Sequence, residues 1–262
     1  MDQASPSALG GPSTYSATTA AVLGANVAST SSWSDPVPPM PGADFEPRER
    51  NETLDRIVNL LIAGTALVLI APVLLFVILA VKLTSPGPAL YTQTRVGRDR
   101  RRGKERASAD RRGSNRGGSL FTIYKFRSMR TDAESGGQAV WATQNDPRVT
   151  PIGAFLRKSR LDELPQLFNV VVGDMNIVGP RPERPQIFTE LCEHIPEYPL
   201  RALAKPGITG WAQINHSYDT CMDGVRIKVR YDLEYLRTAS ILTDLAIMTK
   251  TIPVMVLRRG GW

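Results

Sequence analysis

The chain has 262 residues and a formal net charge of +7, which is enough for one domain with a real core plus attachments. The positive balance points to an anionic partner: phosphorylated substrates, an anionic membrane face or nucleic acid. Its two cysteines, Cys192 and Cys221, form no C-x-x-C pair and have no histidine cluster beside them, which argues against a disulfide scaffold or a zinc site and fits a reducing compartment.

Residues 1–50 are rich in Ser, Thr, Ala, Pro and Gly and poor in large apolar side chains. Little burial offsets chain entropy there, so a disordered tail is expected. Asp2 replaces the basic start of a signal peptide, and no compact apolar run follows.

Residues 51–84 form the expected membrane segment. From residue 57 to 83 no charge appears until Lys82. About 25 apolar residues at ~1.5 Å each exceed the ~30 Å hydrocarbon core. Pro72, near the middle, removes a backbone hydrogen bond and should kink the helix. Two paths fit: a bent spanning helix, or a hairpin that enters and leaves on one face. Hydropathy alone favours spanning. Basic residues flank both ends, with Arg48, Arg50 and Arg56 before and Lys82, Arg95 and Arg98 after. Two cytoplasmic ends would explain that symmetry.

Residues 97–118 are dense in Arg, Gly and Ser, with no apolar period and no aromatic for base stacking. They read as a flexible basic loop, solvated or facing lipid, and no nucleic-acid partner is expected. In LFTIYKFRSMR, residues 120–130, alternation and β-rich composition predict a short strand. Lys125 and Arg127, two residues apart, would share one side of it and grip a diphosphate or simply face solvent.

Residues 146–184 read DPRVTPIGAFLRKSRLDELPQLFNVVVGDMNIVGPRPER. Ile152, Phe155 and Leu156 recur at helical spacing, ending near Ser159. Leu164, Leu167, Phe168 and Val171 form a second apolar stripe that Gly173 terminates. Pro165 suits a first turn, so Asp162 is placed near the N-cap with Glu163 in that turn. Capping and the helix dipole account for such a D-E-L-P. The same position suits phosphate chemistry, with an ionised carboxylate as nucleophile or Mg²⁺ ligand. Arg157 could add positive charge. Arg181, between Pro180 and Pro182, sits on a stiff turn that pre-organises a phosphate contact or a plain bend.

Further on, residues 185–203 look amphipathic and helical, interrupted at Pro196 and Pro199. A Gly/Pro turn leads to Trp211, suited to a membrane interface or to core packing. Residues 225–237 read as a charged helix. Residues 240–257 are apolar with a basic end, suited to lying in the membrane surface.

Four ordered segments carry a family resemblance: KLTSPGPALYTQTRVG (82–97), YKFRSM (124–129), the block from 146 to 183, and KPGITGWAQI (205–214). The chain resembles the bacterial sugar transferases, the monotopic polyprenyl-phosphate phosphoglycosyl transferases, from about residue 54 to 262. The resemblance implies an α+β, mainly α fold. It also implies a re-entrant helix–break–helix at Ala71-Pro72, where the family often has Ser-Pro. Residues 85–262 would form a catalytic domain with amphipathic surface helices on the cytoplasmic face of the inner membrane. Extra membrane helices of larger members have no counterpart here, so a small-type member with a long tail is expected. By position, Asp162 and Glu163 are the family's catalytic dyad, with Mg²⁺ at Asp162 and with Lys125, Arg127, Arg157 and Arg181 on substrate phosphates. The implied partners are a UDP-sugar donor, a polyprenyl (undecaprenyl) phosphate acceptor and membrane lipids. A homo-oligomer is among the expectations. A membrane-tethered scaffold and a nucleotide-sugar phosphodiesterase are the rival readings.

Overall fold

The computed structural model describes residues 37–42, 45–100, 118–133, 146–216 and 222–256. Most of the expected tail (1–36 and 43–44) and most of the basic loop (101–117) lie outside the described residues.

Helix α1, Glu52–Thr84, has 33 residues and is therefore ~50 Å long. Asn51 caps it, its side chain accepting from the Leu54 N–H at 3.0 Å. It stops at Ser85, whose extended backbone is what a following proline, Pro86, favours. One stripe of α1 faces the protein: Asn59 and Ala63, then Ala66, Leu67, Ile70, Leu74, Val77, Ile78 and Val81. Around the rest, Leu61, Val68, Leu69 and Phe76 are 64–75 % exposed. Among the described residues α1 is the one helix long and apolar enough to cross a membrane, and only 11 % of its most apolar window is buried. A helix so apolar on its exposed side calls for lipid. The expected break at Ala71-Pro72 is not a loss of helix: residues 52–84 are helical throughout, with Pro72 inside.

Both ends of α1 are bonded to the same domain. At the start, Arg56 donates to the Val170 and Val171 carbonyls, and Asn59 accepts from the Ile177 N–H at 2.7 Å. At the end, Arg127 donates to the Ser85 and Pro86 carbonyls, each at 2.8 Å.

The domain itself is mainly helical. Strands β1 (Leu90–Val96) and β2 (Leu120–Phe126) pair antiparallel, from Leu90 opposite Phe126 to Val96 opposite Leu120. Helix α2, Pro151–Lys158, is followed by a 3-10 turn, Leu161–Glu163, and by α3, Gln166–Val172. Gly173 closes α3 at φ 103°, a conformation that favours glycine. Strand β3 (Asn176–Val178) pairs in parallel with β4 (Gly207–Thr209). The crossover between them holds α4, Pro185–His194, and a 3-10 segment, Tyr198–Leu203. Helices α5 (Trp211–Asn215), α6 (Met222–Thr238) and α7 (Ile241–Val256) complete the described chain. The interruptions at Pro196 and Pro199 and the charged and apolar C-terminal helices thus stand where the sequence placed them. Trp211 is half-buried against the α6–α7 core, with the Lys250 ammonium 4.9 Å from its ring centre.

Two apolar clusters join α1 to the domain. Ala63 meets Phe121, Ile123, Leu167 and Val170, and Val77 and Val81 meet Phe126 and Leu156. A third cluster packs α4 and the 3-10 segment on α6, through Phe188, Leu191, Tyr198, Val229 and Leu233. Between β2 and α3, Asn169 is fully buried. It accepts from the Tyr124 N–H at 3.1 Å and donates to the Thr122 carbonyl at 2.7 Å. Truncation there strands two backbone groups. We expect Asn169→Ala to lose about 2–3 kcal/mol, read as a lower midpoint of thermal unfolding in detergent. A midpoint equal to that of the wild type would contradict this role.

Candidate active site

Four elements bring charged side chains together. The 3-10 turn carries Asp162 and Glu163, β2 carries Lys125, the turn after β3 carries Arg181, and α2 carries Arg157. Arg160, just before the dyad, has φ 58° and ψ 13°, the one non-glycine residue at positive φ among the described residues. That left-handed residue costs about 1 kcal/mol. It reverses the chain after α2 and turns the dyad inward.

The sequence placed Asp162 near a helix cap, and the structure moves it. Helix α3 begins at Gln166, after Pro165, and neither it nor the 3-10 turn has a side-chain cap. Asp162 and Glu163 precede α3, and both are buried, at 7 % and 8 % exposed. Capping therefore does not account for them.

Glu163 takes the cations. The Lys125 ammonium lies 3.0 Å from its Oε1. Arg181 donates to the same oxygen through one Nη and to Oε2 at 3.4 Å through the other. Burial alone would raise the Glu163 carboxyl, but Arg181 and Lys125 outweigh it and hold the group well below the usual carboxylate range. Burial lowers Lys125, against the pull of Glu163. Arg181 is raised, chiefly by Glu163.

Asp162 takes none of them as a bonded partner. Among the described residues no hydrogen bond or ion pair reaches its carboxylate. Burial, and then the neighbouring Glu163 charge, push it up to about 6, against the pull of Lys125, Arg181 and Arg157. Arg157 is half-buried and its guanidinium makes no hydrogen bond or ion pair to a described residue, yet its charge is felt at Asp162.

Arg127 is not part of this cluster. Its guanidinium is spent on the Ser85 and Pro86 carbonyls and the Ser85 hydroxyl, and the residue is 6 % exposed. Strand β2 ends at Phe126, so the two-residue spacing from Lys125 no longer keeps both side chains on one face. Arg95 joins instead. It donates to the Pro182 carbonyl at 3.2 Å and pairs with Glu183 at 3.3 Å, and its charge acts on both Lys125 and Arg181. It lies in one of the matched segments, but a lone arginine on a polar strand gives no signal of its own.

The arrangement offers a bare, buried carboxylate for attack or for a cation, beside cations for an oxyanion. No cluster of three or more metal-ligating side chains occurs among the described residues. Mg²⁺ does not need one, since it is commonly held by one or two carboxylates, substrate phosphates and water. Asp162, with no bonded partner among the described residues, fits that donor set, whereas Glu163 is already engaged by Lys125 and Arg181.

The sequence matches the family described as bacterial sugar transferase over residues 50–258. It is 41 % identical over 218 residues to the UDP-glucose:undecaprenyl-phosphate glucose-1-phosphate transferase of Escherichia coli K12, covering 82 % of this chain and 43 % of that protein. Against the UDP-N-acetylgalactosamine-undecaprenyl-phosphate N-acetylgalactosaminephosphotransferase of Aeromonas hydrophila it is 40 % identical over 208 residues, or 79 % of this chain and 45 % of the relative. It therefore spans less than half the length of these two relatives. The exopolysaccharide production protein PSS of Rhizobium leguminosarum is 38 % identical over 215 residues, which is 79 % of this chain and 96 % of that one. With 209 of its residues inside the family match, the chain belongs to the bacterial sugar transferases.

Proposed function

We propose that this protein transfers a phospho-sugar from a UDP-sugar to polyprenyl (undecaprenyl) phosphate, releasing UMP and forming polyprenyl-diphosphate-sugar. This would be the first membrane step in assembling an exopolysaccharide or another glycoconjugate. The observation that carries the reading is the division of labour in the dyad: Glu163 is neutralised by Lys125 and Arg181, and the buried Asp162 carboxylate has no bonded partner among the described residues. The names of the relatives, which carry UDP-sugars and undecaprenyl phosphate, support the donor and acceptor classes.

The reaction has two steps. An Asp162 oxygen attacks the sugar-bearing phosphorus of the donor, and the bond from that phosphorus to the bridging oxygen breaks. UMP leaves with that oxygen and its electron pair, and an aspartyl phospho-sugar remains. An oxygen of polyprenyl phosphate then attacks the same phosphorus, and the Asp162 carboxylate is released. Phosphoryl transfer needs alignment and charge neutralisation more than bonding by many groups. Arg157, whose guanidinium has no bonded partner among the described residues, would meet the donor diphosphate. Lys125 and Arg181 hold Glu163 in place and add positive potential at the same centre. Mg²⁺ at Asp162 would supply further neutralisation of the diphosphate. Glu163, held ionised by Lys125 and Arg181, would orient such an ion through its charge; that same stabilisation makes it a weak base toward the acceptor.

The membrane arrangement suits a lipid acceptor. Both ends of α1 are bonded to one polar domain, and α1 packs on that domain between them. A straight perpendicular crossing would drag buried charges such as Glu163 and Arg181 to hydrocarbon depth, at a cost of several kcal/mol each. That supports a monotopic, re-entrant placement bent at Pro72, with the domain on the cytoplasmic face. Helix α7 exposes Leu242, Leu245 and Ile252, as a helix lying in the membrane surface would. The active site is then held at headgroup depth, where the acceptor phosphate resides.

Purified protein in detergent, with Mg²⁺ and a panel of UDP-sugars, should release UMP only when undecaprenyl phosphate is added. Asp162→Asn should lower that rate by at least ~10³-fold. Equal release without acceptor would instead identify a hydrolase. The pH profile gives a second check. The attacking carboxylate must be ionised, and Asp162 is pushed up to about 6 among Glu163, Lys125, Arg181 and Arg157. We expect kcat/KM to rise with pH through about 6 and level off above it. A profile flat from pH 5 to 8 would exclude Asp162 as the titrating nucleophile.

A further inference from the structure

The turn that carries Arg181 has four successive carbonyls, each with a different partner. Pro180 accepts from the Gly207 N–H at 3.0 Å, and Glu183 from the Val96 N–H at 2.9 Å. Between them, Pro182 accepts from Arg95 at 3.2 Å, and Arg181 accepts from Arg201 at 3.1 Å. Prolines at 180 and 182 supply no N–H and fix their own φ, so the carbonyls are the means of holding this backbone. Two of the four holds come from backbone and two from guanidiniums.

Arg201 is itself held from behind. It is 3 % exposed, and Asp232 is 1 % exposed. Nε and one Nη of Arg201 donate to Asp232 Oδ2 at 2.9 and 2.7 Å. The other Nη donates to the Tyr198 hydroxyl at 2.9 Å, and the guanidinium carbon lies 5.0 Å from the Tyr198 ring centre. Tyr198 meets Phe188 edge to face, with ring centres 5.2 Å apart. The 3-10 segment, α4 and α6 together lock one planar cation against one carbonyl.

We propose that Arg201, oriented by Asp232 and Tyr198, is a positioning residue for the transfer reaction: it fixes the Arg181 backbone so that the Arg181 guanidinium meets Glu163. The proposal rests on the reaction assigned above. A buried ion pair is a weak stabiliser, since well-packed apolar side chains serve a core as well. What apolar side chains lack is a rigid fork that reaches an anion, a hydroxyl and a carbonyl at once. Lysine lacks it too, being a point charge on a flexible stem. Arg201 touches no reacting atom and acts only through Arg181.

The test is kinetic, with undecaprenyl phosphate saturating and the UDP-sugar varied. Folding is followed by circular dichroism and thermal unfolding. For Arg201→Lys that folds as wild type, kcat should fall about tenfold while the donor KM moves less than about threefold. Combined with Arg181→Ala, Arg201→Lys should add no further loss, because the residue through which it acts is gone. An unchanged kcat, or losses that multiply in the double variant, would overturn the proposal. Should Arg201→Lys fail to fold, Tyr198→Phe, which removes only the hydroxyl, should show a smaller kcat loss with the same lack of additivity. An unaffected Tyr198→Phe would then overturn it. A wild type that transfers nothing removes the assigned reaction and this proposal together. A wild type that transfers alongside an unimpaired Arg201→Lys removes this proposal alone.

Discussion

Burying two neighbouring carboxylates is harder than burying one, because each charge disfavours the other on top of the loss of solvent. Lys125 and Arg181 resolve that difficulty at Glu163 alone, where both converge on the same oxygen. Glu163 stays ionised and fixed in place. Asp162 is left with burial, a like-charged neighbour and no bonded cation among the described residues, which raises it toward neutrality. A carboxylate in that condition is more basic and less stabilised than one in water. It gains from a bond to phosphorus or from an incoming cation.

The rest of the molecule serves this division of charge. The left-handed turn at Arg160 points the dyad inward, and Asn169 ties the strand of Lys125 to the helix that follows the dyad. Four carbonyl contacts hold the turn of Arg181. Arg127 and Arg56 clamp the two ends of the apolar helix to the same body, so that the site and the membrane helix keep a fixed relation. In the proposed reaction, that fixed relation would let a water-soluble donor and a lipid-bound acceptor reach one phosphorus from two phases. Under the re-entrant placement proposed above, Pro72 would be the point at which this ~50 Å helix bends to enter lipid.

Much of this was legible in the sequence, and what was not has physical causes. The uncharged run after residue 57, the helix stop at Gly173 and the strand through Lys125 each rest on a local period or a residue with one dominant preference. Asp162 and Glu163 were recognisable as a pair, but their setting was not. D-E-L-P fits a helix cap, and only the left-handed Arg160, which no propensity foretells for arginine, moves the dyad into a separate 3-10 turn. The two-residue spacing of Lys125 and Arg127 predicts a shared face, but β2 ends at Phe126, one residue short of Arg127. Strands β3 and β4 have three residues each, too few to show a period. Arg201 and Asp232 lie 31 positions apart, and no local pattern links them. The helix through Ala71-Pro72 is continuous, because one proline removes a single hydrogen bond, which a long apolar helix tolerates.

The covalent role of Asp162 is the claim on which the account turns. The most direct measurement is to mix the protein with a labelled UDP-sugar in the absence of polyprenyl phosphate, quench in acid, and map the labelled peptide by mass spectrometry. One phospho-sugar per protein, on the peptide holding Asp162 and absent in Asp162→Asn, is the expected result. No labelled peptide on a millisecond-to-second quench, from a preparation that forms lipid-linked sugar once polyprenyl phosphate is added, or a label retained in Asp162→Asn, would contradict it.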